Sequence, residues 1–116
     1  MTLREFYEKT GADYDEVIRR MLSEKLILKY IKKFPEDCHF EQLRKSIQEE
    51  DYKTAYRAVH TLKGLCLSLG FESLSKPVIK LTEELRVGIT ENAGTYFSAI
   101  AQGYEDVIGW ISSLSC

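Results

Sequence analysis

The sequence predicts an all-α fold, an antiparallel bundle of four main helices with additional short helices at the amino end. Three observations predict it. Apolar residues recur three and four positions apart along most of the chain, the period of a helix that buries one face. No stretch alternates apolar and polar residues as a half-buried strand does. Only two prolines and seven glycines are present, which leaves little room for the turns of an all-β fold. Short connections at Pro35, Gly70 and Gly88 favour neighbours that run antiparallel. We expect a single domain over residues 1–116, with 1–22 as an N-terminal helical extension and 23–114 as the bundle.

In chain order, Leu3, Phe6 and Tyr7 form a first apolar stripe that Gly11 breaks. Asp13 is placed to cap a second short helix carrying Tyr14, Val17, Ile18, Met21 and Leu22. Ser23 can cap a helix through about Phe34, with Ile27, Tyr30, Ile31 and Phe34 at helical spacing. Pro35 ends it, because proline lacks an N–H and crowds the preceding turn. Asp37 is a candidate cap for the next helix, whose stripe is Phe40, Leu43 and Ile47 and whose end falls near Glu50. Asp51 and Gly70 bracket the long helix that follows, as N-cap and left-handed terminator. Leu74, Val78, Leu81 and Leu85 make a bundle seam. Pro77 fits there only in a first turn, so that helix is expected to begin near Leu74 or Ser75 and to end at Gly88. From about Asn92 the last helix carries Phe97, Ile100, Tyr104, Val107, Ile111 and Leu114. Gly94, Gly103 and Gly109 each weaken it by about 1 kcal/mol relative to alanine. Either close helix approach explains them or the helix is marginal outside its bundle.

The remaining composition excludes several functions. With 16 basic and 18 acidic residues well mixed and a net charge of −2, there is no basic block for nucleic acid and no acidic tail. No run of about 18 apolar residues is present, so no membrane span is expected. The amino end lacks the apolar core of a secretory signal. Three cysteines, Cys38, Cys66 and Cys116, are an odd number at no useful spacing, so a reducing cytoplasm is the default.

The segment Tyr52–Gly70 holds one of only two histidines. At roughly 100° per residue, Tyr52, Ala55, Ala58, Val59, Leu62, Leu65, Cys66 and Leu69 fall in one arc of about 140°. The opposite side carries Lys53, Arg57, His60, Thr61, Lys63, Gly64 and Ser68, with Tyr56 and Leu67 between the arcs and close to His60. Pattern alone therefore predicts an exposed or half-exposed histidine on an anchored helix, with Lys63 and Gly64 as its surface neighbours. An unperturbed imidazole titrates near ~6.5 and is a nucleophile at cellular pH. Attack on a phosphoryl group would bring negative charge beside it, which Lys63 could neutralise from the same face. Glycine in mid-helix costs roughly 0.8–1 kcal/mol, and at position 64 it leaves a hollow one turn from the imidazole. Tyr56 and Leu67 would give that hollow apolar contact, with Arg57, Lys53 and Thr61 as polar rim. Against this stands the plainer fact that a lone histidine on a helix surface is usually a surface residue.

Other residues read more plainly. His39 beside Cys38 lacks the further ligands of a zinc site and suits a loop or helix start. Cys66 is expected in the core and inert, and Cys116 is a terminal thiol. Glu83 and Glu84 are adjacent in a helix and diverge by roughly 100°, so they form a solvated face and no acid–base pair. Trp110 belongs to the core or rim of the last helix. Tyr56 is either docking surface or a filler against a neighbouring helix. A general base at His60 would lack an orienting carboxylate at helical spacing.

The run Ala58-Val59-His60-Thr61-Leu62-Lys63-Gly64, followed by Gly70 and Leu74, resembles the signature of histidine-containing phosphotransfer (HPt) domains. The flanks agree: Phe34-Pro35-Glu36-Asp37 with Phe40, Leu43 and Asp51 before it, and Leu81 with Thr82-Glu83-Glu84-Leu85-Arg86 after it. The resemblance runs over about residues 24–88. Pro77 and the apolar Leu67 and Leu69 depart from the usual pattern. The resemblance implies a phosphorelay intermediate. His60 would accept a phosphoryl group, through Nε2, from the receiver-domain aspartate of a hybrid histidine kinase and pass it to the aspartate of a response regulator. Lys63 would stabilise phosphoryl charge, Gly64 would give access, and Tyr56, Arg57, Thr61 and Leu67 would meet the partner. The chain would be a phosphocarrier without ATP-dependent kinase activity, a separate diffusible cytoplasmic monomer. It would need no cofactor of its own, since the receiver supplies Mg²⁺. The alternative is a receiver-binding helical adaptor that docks and transfers nothing.

Overall fold

The computed structural model describes residues 1–114, so Cys116 lies outside the described residues. It is all-helical, with no strand among them. The helices are α1 (Leu3–Thr10), α2 (Tyr14–Met21), α3 (Glu24–Lys33), α4 (His39–Gln48), α5 (Tyr52–Leu69), α6 (Glu72–Arg86) and α7 (Ala93–Ser112). A single 3₁₀ turn, Phe34–Glu36, joins α3 to α4.

Side-chain caps set where α1, α2, α3 and α5 begin. Thr2 and Glu5 form a capping box at α1. Asp13, Ser23 and Asp51 each accept a first-turn N–H, from Asp15, Leu26 and Thr54 respectively. Hydrogen bonds from Thr54, its side chain first and its backbone N–H second, hold the Asp51 carboxyl below the ordinary aspartate value. Asp37 behaves differently from expectation. The N-cap position of α4 is Cys38, and Asp37 accepts the His39 N–H from just outside the helix, at 2.9 Å. The helix also stops sooner than Glu50, at Gln48.

From α4 onward each helix packs on the next, and α7 reaches back to α4. The core between them holds Leu43, Val59, Leu62, Leu74, Val78, Leu81, Ile100 and Val107, the residues that recur at helical spacing. Phe40 stacks flat on Tyr104 at 3.9 Å, joining α4 to α7. Phe71, between Gly70 and α6, is fully buried and sits edge-on to both Phe6 and Phe34, at 5.7 and 5.0 Å.

Several expectations are corrected. Tyr30 is exposed, because α3 buries only Ile27 and Ile31 and turns the Tyr30 side outward. Leu22 is 86% exposed and takes a left-handed φ of 71° as the terminator of α2. Pro77 is not in a first turn. α6 begins at Glu72, so Pro77 lies inside it, where a donor to the Ser73 carbonyl is missing. Close approach explains one of three glycines in α7. A Cβ at Gly103 would lie 3.2 Å from Leu74 Cδ1, while Gly94 and Gly109 face open space.

The amino-terminal helices do more than cover one end. A helix leaves its last carbonyls without intrahelical partners, and α1–α2 supply partners for those of α5. Tyr7 Oη donates to the Leu69 carbonyl at 2.6 Å. The Arg20 guanidinium donates to the Leu67 and Ser68 carbonyls, both at 3.1 Å. Gly70 is tied in twice: it takes φ 74°, and a Cβ there would come within 2.8 Å of Val17. Burial pushes the Tyr7 phenol well above its ordinary value, so it stays a donor. Tyr7→Phe strands a carbonyl in the core and should cost about 1–3 kcal/mol, measured by urea unfolding, with the loss greatest for amide protection in the last turn of α5. An unchanged midpoint would remove this account of how α5 is anchored.

Candidate functional site

The helix that matters is α5. It buries Ala55, Ala58, Val59, Leu62, Cys66 and Leu69, while Tyr52 and Leu65, placed in the same arc by pattern, are half-buried at its edges. Burial pushes the Cys66 thiol up to about 12, so it stays neutral and inert at physiological pH, as expected. The opposite face presents Arg57, His60, Thr61, Gly64, Leu67 and Ser68, all exposed. Lys63 is half-buried, drier than the wet side to which pattern assigned it.

His60 is exposed on a helix fixed at both ends, by Asp51 at one and by Tyr7 and Arg20 at the other. Its imidazole stacks on the Tyr56 ring, with centroids 5.8 Å apart and planes inclined by 20°. Tyr56 is half-buried and packs against the core. It is thus filler and surface at once, which the projection left open. Lys63 makes no ion pair among the described residues, so its ammonium is uncommitted. It lies one turn on from His60, and helical side chains lean toward the amino end. At Gly64 a Cβ would meet nothing within 4 Å, so the space beside the imidazole is open and no neighbouring helix explains this glycine. Thr61 spends its hydroxyl on the Arg57 carbonyl at 3.2 Å. Leu67 is 47% exposed, a large apolar side chain on the histidine face.

The other histidine is held quite differently. His39 opens α4, and its Nδ1 lies 3.0 Å from both carboxylate oxygens of Asp37. Among the described residues no three His, Cys, Asp or Glu side chains group as a metal site. Trp110 is half-buried at the rim of α7. Glu84 is not simply solvated: its carboxylate accepts from Asn92 and Tyr96 across to α7, at 3.0 Å each.

A cavity of about 580 Å³ lies away from the histidine. It lies between the α2–α3 corner and the carboxyl half of α5, lined by Met21, Tyr30, Phe34, Leu65 and Leu69 among others. His60, Lys63 and Gly64 line neither this cavity nor the second, of about 340 Å³. The histidine thus lies on an exposed face outside both cavities, an arrangement that suits a macromolecular partner better than a small substrate. No helix of the described residues is long and apolar enough to cross a membrane.

Pattern reasoning missed two features of this site. The stack of Tyr56 on His60 follows from their spacing of one turn, a signal that was available. The anchoring of α5 by Tyr7 and Arg20 joins residues far apart in sequence, and no local signal announces it. A family model described as Hpt domain matches residues 29–110. No curated protein and no solved structure matches the chain. The matched stretch takes in α4 to α6 whole and most of α7, with the exposed histidine of α5 near its middle. The chain belongs to the Hpt domain family, whose members act in histidine phosphotransfer within phosphorelays.

Proposed function

We propose that this protein is a phosphorelay intermediate in which His60 carries the phosphoryl group between two receiver domains. The observation that carries the reading is an exposed imidazole on an anchored helix, without a hydrogen bond among the described residues, beside the open space at Gly64. A neutral imidazole nitrogen, Nε2, attacks the phosphorus of an aspartyl phosphate on a hybrid kinase receiver. The N–P bond forms, the P–O bond breaks, and the aspartate leaves as carboxylate. The reverse exchange delivers the group to a response regulator. Lys63 offsets the phosphoryl charge, and Gly64 keeps the approach clear. Tyr56, Arg57, Thr61 and Leu67 meet the receiver, an apolar pair within a polar rim. The receiver brings Mg²⁺ and its acidic pocket, and the chain works as a cytoplasmic monomer without a cofactor of its own. Residues 1–116 act as one domain, in which α4–α7 serve as the antiparallel four-helix bundle and 1–22 as an extension.

The test is incubation with a phosphorylated receiver from the same genome, followed by the chemistry of any label acquired. An acid-labile, base-stable label on His60 is expected, and its absence with every receiver tried would leave only the adaptor reading. Lys63→Ala should slow transfer about tenfold while docking is largely kept, as for loss of one partly solvated charge. Stopped-flow transfer rates and receiver affinity separate the two effects. A fall in affinity alone would make Lys63 a rim contact.

A further inference from the structure

We propose that Tyr56 is a positioning residue, whose ring fixes the plane of the His60 imidazole for phosphotransfer. The inference rests on His60 as phosphoacceptor and goes beyond a docking role for Tyr56. The rings lie 5.8 Å apart and 20° from parallel, within the range of offset stacking. Tyr56 stands one turn before His60, and helical side chains lean toward the amino end, so the imidazole leans onto the phenol ring. Because Tyr56 is half-buried against the core, it is a fixed wall.

Among the described residues His60 makes no hydrogen bond or ion pair, and this is its one ring contact. His39 is held in another way. There a carboxylate fixes the ring but occupies Nδ1 to do so. A stack fixes the ring through its face and leaves both nitrogens unoccupied. The lone pair of an imidazole nitrogen lies in the ring plane, so fixing that plane aims the nucleophile. On the next turn, Gly64 adds no side chain to obstruct what is aimed. In-line displacement depends on such alignment.

A donor too small to dock separates positioning from docking. Phosphoramidate is such a donor. The imidazole lone pair forms the new N–P bond, the donor P–N bond breaks, and ammonia leaves and takes up the proton shed by the phosphoimidazolium. Rates at saturating donor are measured with phosphoramidate and with a phosphorylated receiver, and the phosphohistidine isomer is identified by ³¹P–¹H NMR. Tyr56→Ala should lower kcat about tenfold with both donors and give a mixture of isomers where the native protein gives one. Tyr56→Phe, which keeps the ring, should retain most of the rate and the single isomer. Tyr56→Leu, which keeps the packing without a flat ring, should behave as Tyr56→Ala and guards against a folding artefact. A loss confined to the receiver reaction would make Tyr56 a docking residue and overturn the proposal, as would an unchanged rate and isomer with phosphoramidate. If native His60 takes no label from either donor, the phosphoacceptor reading itself falls, and the positioning role falls with it.

Discussion

His60→Gln should abolish transfer from a phosphorylated receiver while leaving the fold intact. Glutamine approximates the size of histidine but offers no nucleophilic nitrogen, so the loss is of chemistry. His60 is exposed and makes no hydrogen bond among the described residues, so the substitution should move stability by no more than about 0.5 kcal/mol. The label it abolishes has a signature. A phosphoramidate N–P bond is cleaved in acid, where the ring nitrogen is protonated and becomes a good leaving group, and survives base. With only two histidines in the chain, the control is simple. His39 has its Nδ1 engaged by Asp37 and lies at the start of a different helix. His39→Gln should therefore retain full labelling. Acid-labile label that persists in His60→Gln, or disappears in His39→Gln, would sink the assignment.

The histidine face was legible in sequence because it depends on one helix alone. An 18-residue helix with a cap at Asp51 and a terminator at Gly70 has a predictable buried arc, and His60, Gly64 and Leu67 fall where the projection puts them. The seam Leu74, Val78, Leu81 and Leu85 was legible for the same reason and is buried throughout. What was not legible depends on two or more elements. Lys63 is not such a case: at roughly 100° per residue it projects beside Tyr52 at the edge of the buried arc, so its half-burial was legible and its place on the opposite side was a misprojection. Phe71 is an isolated aromatic beside a glycine, with no period to reveal it, yet α1 and the 3₁₀ turn after α3 meet on it through Phe6 and Phe34. Pro77 was placed by a local rule that the neighbouring helices override, since α6 is held by its buried seam on both sides of the proline. Tyr30 kept helical spacing but lost its place in the core, because α3 touches the bundle along a narrower stripe than a central helix does.

Gly64→Gln should separate stability from transfer more sharply than any other change. Glycine in mid-helix is about 0.8–1 kcal/mol worse than alanine and correspondingly worse than glutamine, and at position 64 no compensating contact exists, since an added Cβ meets nothing within 4 Å. The variant should gain roughly 0.5–1 kcal/mol in urea unfolding. Its transfer rate should nevertheless fall by about 100-fold, because a side chain at 64 leans back over the turn that carries His60. A displacement of the incoming phosphoryl group by about 1 Å is enough for such a loss. Gly64→Ala provides the graded control: similar or greater stability, with a smaller loss of rate because a single methyl reaches less far. The helix itself would choose alanine here, and on the proposed reading glycine is kept at this position for what must approach the protein. If Gly64→Gln is stabilised and still transfers at the native rate, the open space beside His60 is not the path of the phosphoryl group. Approach would then have to come from the Lys63 side.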